Sequence, residues 1–319
     1  MWRALDRPRR LEILELGPGR GLFARDVLDW SQKKFPDFFA ALTYTLQESS
    51  PALRAKLEGN LADQLAAGKA HVGTAVLGCP AKRGEGLVEI RRNLTGGEPL
   101  IVFANEFFDA LPVEILSAQG KLHLALDGDH LTEIWLPPVP DEFTFLDRYG
   151  VRPEGNERVE VPLVGQRWIT EIAANIRRGF LIVIDYGYTL NEQLAGRHRG
   201  TLMAYRQHST SSNPYEAPGE QDLTAHVNFT ALSAALQQAG MITQRLITQS
   251  QFLMGIGECN QFGDAFEECR VPQEQAKVAL QLKHLISPEG MGETFHVLLA
   301  SKQVEDSKLV TLSGLRFGH

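Results

Sequence analysis

Short apolar runs and amphipathic stretches alternate along this chain, and their order predicts an α/β protein. Apolar segments at residues 11–16, 44–48, 100–104 and 180–184 predict strands. The last two are continuously apolar, as strands buried on both faces of a parallel sheet must be. A final strand is predicted at residues 294–300. Since helical patterns separate these runs, we expect a mostly parallel sheet.

The helical patterns have recognisable ends. Ser50 and Pro51 precede leucines at every fourth position, and Gly68 follows them, which predicts a helix capped by serine and stopped by glycine. Apolar residues share one helical face over residues 164–176. Asn228 precedes another such pattern and is predicted to cap its helix.

Other segments lack a helical pattern. Residues 68–86 are predicted to form an irregular insertion before a third strand near 87–90. Residues 113–136 alternate and contain turn signals, which predicts an antiparallel hairpin or meander. The proline-rich residues 137–158 are predicted to be a loop.

A long polar stretch covers residues 189–227, and structureless segments of that length are usually functional. With 319 residues and 43% apolar content, the chain can form one large domain or two small ones. No repeat or linker divides it. We expect one domain over residues 1–319, with an inserted hairpin region at about 113–160 and a substrate loop at about 189–227.

Composition excludes several classes of function. The net charge of −7 and the absence of a basic stripe argue against nucleic acid and fit a basic protein or peptide partner better. The three cysteines lack the spacing of a disulfide framework or a zinc site, and no metal site is expected. No apolar run is long enough to span a membrane, and ten residues before the first strand are too few for a signal peptide. A reducing compartment is therefore expected.

The first strand ends in the most informative motif. Glu15 is followed by glycines at alternate positions, Gly17, Gly19 and Gly21, at the start of a helix predicted over residues 22–30. Glycines let the backbone turn and approach a ligand closely, and the helix directs free N–H groups at the same place. A dinucleotide site would need its third glycine at the position that leucine occupies here, so S-adenosylmethionine (SAM) is favoured over NAD. A turn without a ligand is the alternative.

Two further strand ends carry polar residues. Glu48 ends the second strand about 30 residues after the first glycine, where related folds place the acid that binds ribose hydroxyls. Asn105, Glu106 and Asp109 follow the buried strand at 100–104. Ligands bind at the carboxyl ends of the strands in open α/β sheets, so both places are candidates for the site.

Five segments together resemble the MidA family, whose mitochondrial member is an arginine methyltransferase and an assembly factor for respiratory complex I. They occur in the family's order and are Glu-Leu-Gly-Pro-Gly-Arg-Gly (15–21), Glu-Ser-Ser-Pro-Ala-Leu-Arg (48–54), Ala-Asn-Glu-Phe-Phe-Asp-Ala-Leu-Pro (104–112), Ile-Asp-Tyr-Gly-Tyr (184–188) and residues 218–230. The resemblance implies a Rossmann-like class I methyltransferase fold with a seven-stranded sheet and helices on both faces. It also implies SAM as methyl donor and a protein acceptor, with symmetric dimethylation of an arginine on a complex I subunit in the mitochondrial member. A bacterial protein would be cytoplasmic and a eukaryotic one would lie in the mitochondrial matrix; a homodimer stays open.

Methyl transfer to arginine needs carboxylates that hold the guanidinium and take its proton. Glu106 and Asp109 are the candidates, although Asp109 could instead cap a following helix. Asn105 could contact the cofactor or orient the acceptor. Asp185 and Tyr186 could form the wall of the acceptor pocket, or make only a strand-end hydrogen bond and a packed ring.

The substrate loop supplies weaker candidates. Arg206, His208, Asp222 and His226 are assigned to it as substrate-contacting residues. Because neither histidine has a metal-ligand spacing, each could equally be a surface residue or a residue that holds the loop in place.

Two departures from the family pattern keep an alternative open. The chain lacks the N-terminal segment, with its Gly-Asp-Phe and Thr-Ser-Pro stretch, that is expected to cover the site. That absence would suit a non-catalytic or weakly active SAM-binding assembly factor for a respiratory complex. Asn228 replaces the aspartate towards which the family leans, and a helix cap accepts either residue.

Overall fold

A computed structural model describes residues 1–73, 97–196, 199–206, 209–211 and 213–318. They group into two compact units. Unit 1 comprises Met1–Asn105, Glu171–Asp185 and Ala239–His319. Unit 2 comprises Glu106–Thr170 and Tyr186–Gln238. The single domain expected from the sequence stays a prediction.

Unit 1 contains a seven-stranded path in the order β3-β2-β1-β4-β9-β16-β14, with β15 beside β16. Its strands are β1 (Leu11–Leu16), β2 (Leu42–Gln47), β3 (Ala70–Gly73), β4 (Leu100–Asn105), β9 (Gly179–Tyr188), β14 (Ile242–Thr243), β15 (Ile247–Thr248) and β16 (Phe295–Lys302). The last three residues of β9 belong to unit 2. The pairs from β3 through β9 are parallel, and β14 and β15 are antiparallel to β16. The predicted mostly parallel sheet is therefore present, and its main path has seven strands, with β15 as an additional short strand beside β16.

The described residues of unit 1 also form eight α-helices and one 3₁₀ helix. They are α1 (Leu22–Lys34), α2 (Pro36–Ala41), α3 (Pro51–Asn60), α4 (Ala62–Ala66), α9 (Gln249–Gly257), α10 (Gly263–Phe266), α11 (Pro272–Ile286), α12 (Asp306–Leu309) and a 3₁₀ helix (Ser313–Gly318). The predicted leucine helix is present as α3 and α4. Its leucines Leu57 and Leu61 are fully buried with Leu28 of α1 and Tyr44 of β2, so this stripe is part of the core.

Unit 2 contains two antiparallel sheets and a short strand beside the end of β9. The first sheet has the order β7-β6-β5-β8, and the second has the order β11-β10-β12. The strands are β5 (Glu114–Ser117), β6 (Gly120–Asp127), β7 (His130–Leu136), β8 (Val159–Val161), β10 (Met203–Arg206), β11 (Ser209–Ser211), β12 (Asp222–Thr224) and β13 (Val227–Asn228). The antiparallel strands predicted for residues 113–136 are thus found as β5, β6 and β7.

Four helices contain residues of unit 2. They are α5 (Pro140–Tyr149), α6 (Leu163–Asn175), α7 (Leu190–Leu194) and α8 (Phe229–Gln238), of which α6 continues into unit 1. Phe145 and Leu146 of α5 pack with Val159, Val161 and Ala231 in a buried cluster. Predicted helices at 164–176 and after Asn228 correspond to α6 and α8.

Three sequence predictions about irregular segments were wrong. The first part of the expected insertion forms β3, because Ala70 pairs with Tyr44 at the sheet edge and is buried, and residues 74–86 lie outside the described residues. Residues 137–158 contain α5, whose first helical residue is a proline and whose Glu142 carboxylate accepts the Val139 N–H at 2.8 Å. The stretch 189–227 contains α7 and three short strands, because antiparallel pairing satisfies its backbone. The strand predicted near 87–90 lies outside the described residues.

Candidate active site

The glycine turn after β1 needs a backbone conformation that other residues adopt at a cost. Gly17, Gly19 and Gly21 have φ values of 64°, 57° and 70°. A side chain in this left-handed region costs roughly 1–2 kcal/mol per residue. Gly17 N–H donates to the Gln47 carbonyl at 3.0 Å, and Gly21 N–H donates to the Pro18 carbonyl at 2.9 Å. The turn is therefore a defined structure tied to the end of β2.

Glu48 fixes the same turn from the second strand. Its Oε2 accepts the Gly19 N–H at 3.0 Å, and its Oε1 accepts the Ser50 N–H at 2.9 Å. Only 5% of the residue is exposed. Each carboxylate oxygen keeps a second lone pair, so a ribose hydroxyl could still donate to Glu48. Its cofactor role stays a prediction.

Gly21 has a second reason to be glycine. A Cβ at this position would lie 3.0 Å from Leu57 Cγ and 3.1 Å from Leu61 Cδ1. A Cβ at Gly19, in contrast, would have no neighbouring atom within 4 Å. The sequence assigned Gly21 to cofactor binding, and the structure adds close packing of α1 against the leucine helix.

Glu15 is enclosed within unit 1. Its Oε2 accepts the Tyr44 hydroxyl at 2.8 Å, and burial raises the pKa of Glu15 to about 7. Burial also raises the pKa of Tyr44. Direct cofactor contact by Glu15 stays a prediction, and Tyr44 is a partner that the sequence did not suggest.

Asp109 is the most enclosed carboxylate of the Asn105–Pro112 segment. It is 5% exposed, its Oδ2 accepts the Tyr186 hydroxyl at 2.7 Å, and its backbone carbonyl accepts the Ala225 N–H at 2.9 Å. Burial raises the pKa of Asp109, while the hydrogen bond from Tyr186 opposes that rise. The segment after Asp109 leads into β5 without a helix, so the alternative role as a helix cap was wrong.

Tyr186 and His226 form an aromatic pair beside this carboxylate. Their ring centroids are 5.3 Å apart at an angle of 87°. The backbone N–H of His226 donates to the side-chain oxygen Oγ1 of Thr201 at 3.0 Å. Residues from the Asn105–Pro112 segment, the end of β9 and the polar stretch 189–227 therefore meet within unit 2, as the predicted roles of Asp109, Tyr186 and His226 require.

Glu160 binds the backbone of Thr201, the residue whose side chain accepts the His226 backbone N–H. Its Oε1 accepts the N–H groups of Thr201 and Leu202 at 2.7 and 3.0 Å. Burial raises the pKa of this carboxylate. Sequence reasoning missed Glu160 and Thr201, because neither belongs to a motif and their contact joins residues 41 positions apart.

The other predicted catalytic residues differ in accessibility. Asn105 and Glu106 are exposed, and Glu106 has a φ of 47° although it is not a glycine. Strained backbone of this kind is common at functional sites. Asp185 is fully buried. Asn105 and Asp185 are in unit 1 and Glu106 is in unit 2, so their joint action stays a prediction.

The remaining substrate-loop candidates are on the surface or outside the described residues. Arg206 is exposed and pairs with Glu220 at 2.7 Å. Asp222 is exposed at the start of β12. His208 lies outside the described residues.

Two residues near the end of β9 have structural tasks. A Cβ on Gly187 would lie 2.1 Å from the Val227 carbonyl oxygen, so glycine permits the pairing of β9 with β13. Asn228 Oδ1 accepts the Ala231 N–H at 3.0 Å, and its Nδ2 donates to the Tyr149 carbonyl at 2.7 Å. An aspartate could accept the first hydrogen bond but could not donate the second. The expectation that either residue would serve therefore holds for the helix cap and not for the bond to Tyr149.

Metal clusters and membrane-spanning helices are both absent from the described residues. No group of three or more His, Cys, Asp or Glu side chains in the described ranges could hold a metal ion. In the same part of the chain, no helix is long and apolar enough to cross a membrane.

Comparisons with known proteins identify the family of this chain. A family model described as "Putative S-adenosyl-L-methionine-dependent methyltransferase" matches residues 1–247. Proteins named protein arginine methyltransferase NDUFAF7, mitochondrial, from Danio rerio and Homo sapiens are 27% and 25% identical. The alignments cover 98% and 92% of this chain, and 76% and 67% of those proteins. The Drosophila melanogaster homolog is 28% identical over 76% of this chain and 56% of its own length.

Solved structures show the same fold. A Burkholderia thailandensis protein is 25% identical with a TM-score of 0.74, covering 98% of this chain and 78% of its own. A second structure from that organism, bound to S-adenosyl-homocysteine, is 23% identical with a TM-score of 0.74, covering 98% and 76%. The predicted class I methyltransferase fold is confirmed. The chain therefore belongs to the matched family of S-adenosyl-L-methionine-dependent methyltransferases, as its resemblance to the MidA family predicts, and SAM is its cofactor.

Proposed function

We propose that this methyltransferase modifies an arginine side chain of a protein. The observation that carries the proposal is Asp109, a carboxylate buried beside an aromatic pair, with its Oδ2 bound by the Tyr186 hydroxyl at 2.7 Å. A buried carboxylate attracts a cation strongly, and a raised pKa suits it to accept a proton. The names of the curated relatives support the same acceptor.

The proposed reaction needs residues that hold the methyl donor and a base for the acceptor. The residues assigned to SAM are Glu15, Gly17, Gly19, Gly21, Glu48 and Asn105. When bound, SAM supplies an electrophilic methyl group on its sulfonium. A guanidinium nitrogen forms a bond to that carbon as the bond to sulfur breaks, and the proton lost from nitrogen passes to a carboxylate. Asp109 is the proposed base.

Other residues have supporting roles in the proposal. Glu106 is exposed just after β4 and would hold the second edge of the planar guanidinium. Tyr186 would keep the Asp109 carboxylate in one orientation. His226 would support Tyr186 through their ring contact. Asp185, the residue before Tyr186 in β9, would form part of the wall of the acceptor pocket.

The finer functional assignments come from the MidA resemblance. We propose symmetric dimethylation and a substrate that is a subunit of a respiratory complex, such as complex I. A bacterial chain would act in the cytoplasm, and a eukaryotic chain in the mitochondrial matrix. A homodimer is part of the same proposal.

The decisive experiment uses the full chain with radiolabelled SAM and cell extract. Mass spectrometry of the labelled protein is expected to find methyl groups on arginine, with both terminal nitrogens modified. Asp109→Asn should abolish labelling, whereas Asp129→Asn, which removes an exposed carboxylate from a hairpin turn of unit 2, should not. Labelling of another residue type, or of arginine at equal rates in both variants, would contradict the proposal.

A further inference from the structure

We propose that an apolar pocket of unit 2 binds a large apolar side chain of the substrate polypeptide, a few residues from the methylated arginine. This inference rests on the proposed arginine methylation and concerns sequence specificity. The pocket has a volume of about 440 Å³ and is lined chiefly by aliphatic side chains. Among them are Leu111, Ile115, Leu124, Leu202 and Leu223.

The pocket adjoins the proposed acceptor residue. Asp109 is one of its lining residues, and the wall continues along the chain from Asp109 to Ile115. An extended polypeptide advances roughly 3.3–3.6 Å per residue. An arginine held at Asp109 would therefore have its near neighbours at this wall.

Charges around the pocket favour an apolar neighbour over a basic one. Glu114, another lining carboxylate, has its Oε2 2.9 Å from Lys121 Nζ. Tyr215, also in the lining, donates its hydroxyl to Glu133 at 2.8 Å, and Glu133 is paired with Arg158 at 2.6 Å. Lys121 is shared between Glu114 and the buried Glu142, which is 2.6 Å away, and Arg158 pairs with Glu133. Each of these acids thus already has a cation partner, and attracts a further basic residue less than an unpaired acid would. A substrate with one arginine beside a large aliphatic residue fits better than an arginine-rich or glycine-rich segment.

Two exposed leucines make the pocket testable without disturbing the core. Leu223 is 45% exposed and Leu124 is 48% exposed. Leu126 is on the same strand as Leu124, is 75% exposed and does not line the pocket. The variants Leu223→Asp and Leu124→Asp therefore alter the lining, and Leu126→Asp is the matched control.

The experiment measures binding and turnover of peptides by the full chain. A single arginine stands in a Gly-Ser host, and one leucine is placed in turn at each of the four positions on either side. Anisotropy with the S-adenosyl-homocysteine complex gives Kd, and labelled SAM gives transfer to arginine. One or two positions are expected to bind about tenfold more tightly than the host without leucine, because the pocket would remove the leucine side chain from water. Leu223→Asp and Leu124→Asp should remove that preference, and Leu126→Asp should retain it.

The outcomes separate this inference from the proposed function. Transfer to arginine with equal affinity for all peptides would overturn the pocket's role and leave arginine methylation standing. Absence of transfer to arginine in every peptide, with cofactor binding intact, would overturn both. The pocket's role would also be overturned if the preference for leucine survived in Leu223→Asp and Leu124→Asp. The same conclusion would follow if sedimentation showed that these two variants change only the self-association of the protein.

Discussion

Each unit of the molecule contains a buried carboxylate that accepts a tyrosine hydroxyl. In unit 1, Tyr44 donates to Glu15 at 2.8 Å, and in unit 2, Tyr186 donates to Asp109 at 2.7 Å. Burial raises both carboxylate pKa values. Their surroundings differ, because Glu15 is in a strand of the core, whereas Asp109 follows a strand and lines a pocket. The same pair of groups is therefore enclosed within a sheet in one place and lines a pocket in the other.

The largest expected effect tests the second half of that comparison. Asp109→Asn keeps the shape of the side chain and removes the proton acceptor. Methyl transfer to arginine should fall by about 10²–10⁴-fold, the usual contribution of a general base. SAM affinity, measured by calorimetry, should stay within about twofold, because Asp109 is not among the residues assigned to the cofactor. A variant with unchanged kcat would show that Asp109 is only structural.

The glycine turn allows a matched pair of substitutions in unit 1. Gly21→Ala combines a positive φ with contact against Leu57 and Leu61, and should cost roughly 2–5 kcal/mol of unfolding free energy together with most SAM affinity. Gly19→Ala has the positive φ but no neighbour, and should cost about 1 kcal/mol. Denaturant unfolding and calorimetry measure both quantities. Equal losses in the two variants would rule out close packing as the reason for Gly21.

The raised pKa of Glu15 should make the free energy of unfolding depend on pH. Its pKa is about 7 in the folded chain against an ordinary value of 4.5, so the folded state binds the proton more tightly. The stability it contributes is fully present below pH 4.5 and is lost as pH rises through 7. The loss amounts to about 3 kcal/mol. Urea unfolding of Glu15→Gln, compared with the original chain from about pH 4.5 to 8.5, should lack this decline; parallel curves would contradict the assignment.

The smallest effect concerns the tyrosine of unit 2. Tyr186→Phe removes a hydrogen bond that lowers the pKa of Asp109, so that pKa should rise further. The acid limb of the kcat/KM profile should shift upward in pH, with a lower rate on that limb. Tyr44→Phe is the matched change in unit 1 and should alter the pH dependence of stability instead. A shift of the rate profile in both variants would remove the distinction between the two pairs.

The cofactor side of the predicted site has a stronger local sequence signal than the acceptor side. Gly17, Gly19 and Gly21 indicate an unusual backbone within a few residues of Glu15, so local chemistry identifies them. Asp109 and Tyr186 are 77 positions apart and meet only after the chain has folded. Their residue types permitted several roles, including the helix cap that the structure excludes.

Fold predictions succeeded and failed for related reasons. Strands β1, β4 and β9 are buried and apolar, so their sequence pattern is strong. Helix α5 was missed because the prolines before it suggested a loop, although proline is favoured at a first helical position. Strand β3 has four residues at the sheet edge, too few for a clear period.

The close approach of Gly187 to Val227 bears on directed evolution of acceptor choice. Any side chain at 187 would push β13 away, so a library at the end of β9 should leave that codon fixed. Tyr188 is fully buried and is equally unsuitable for diversification. Tyr186 is half-buried beside Asp109 and can be varied at less cost to folding. The structure thus reduces a three-residue search to one productive position.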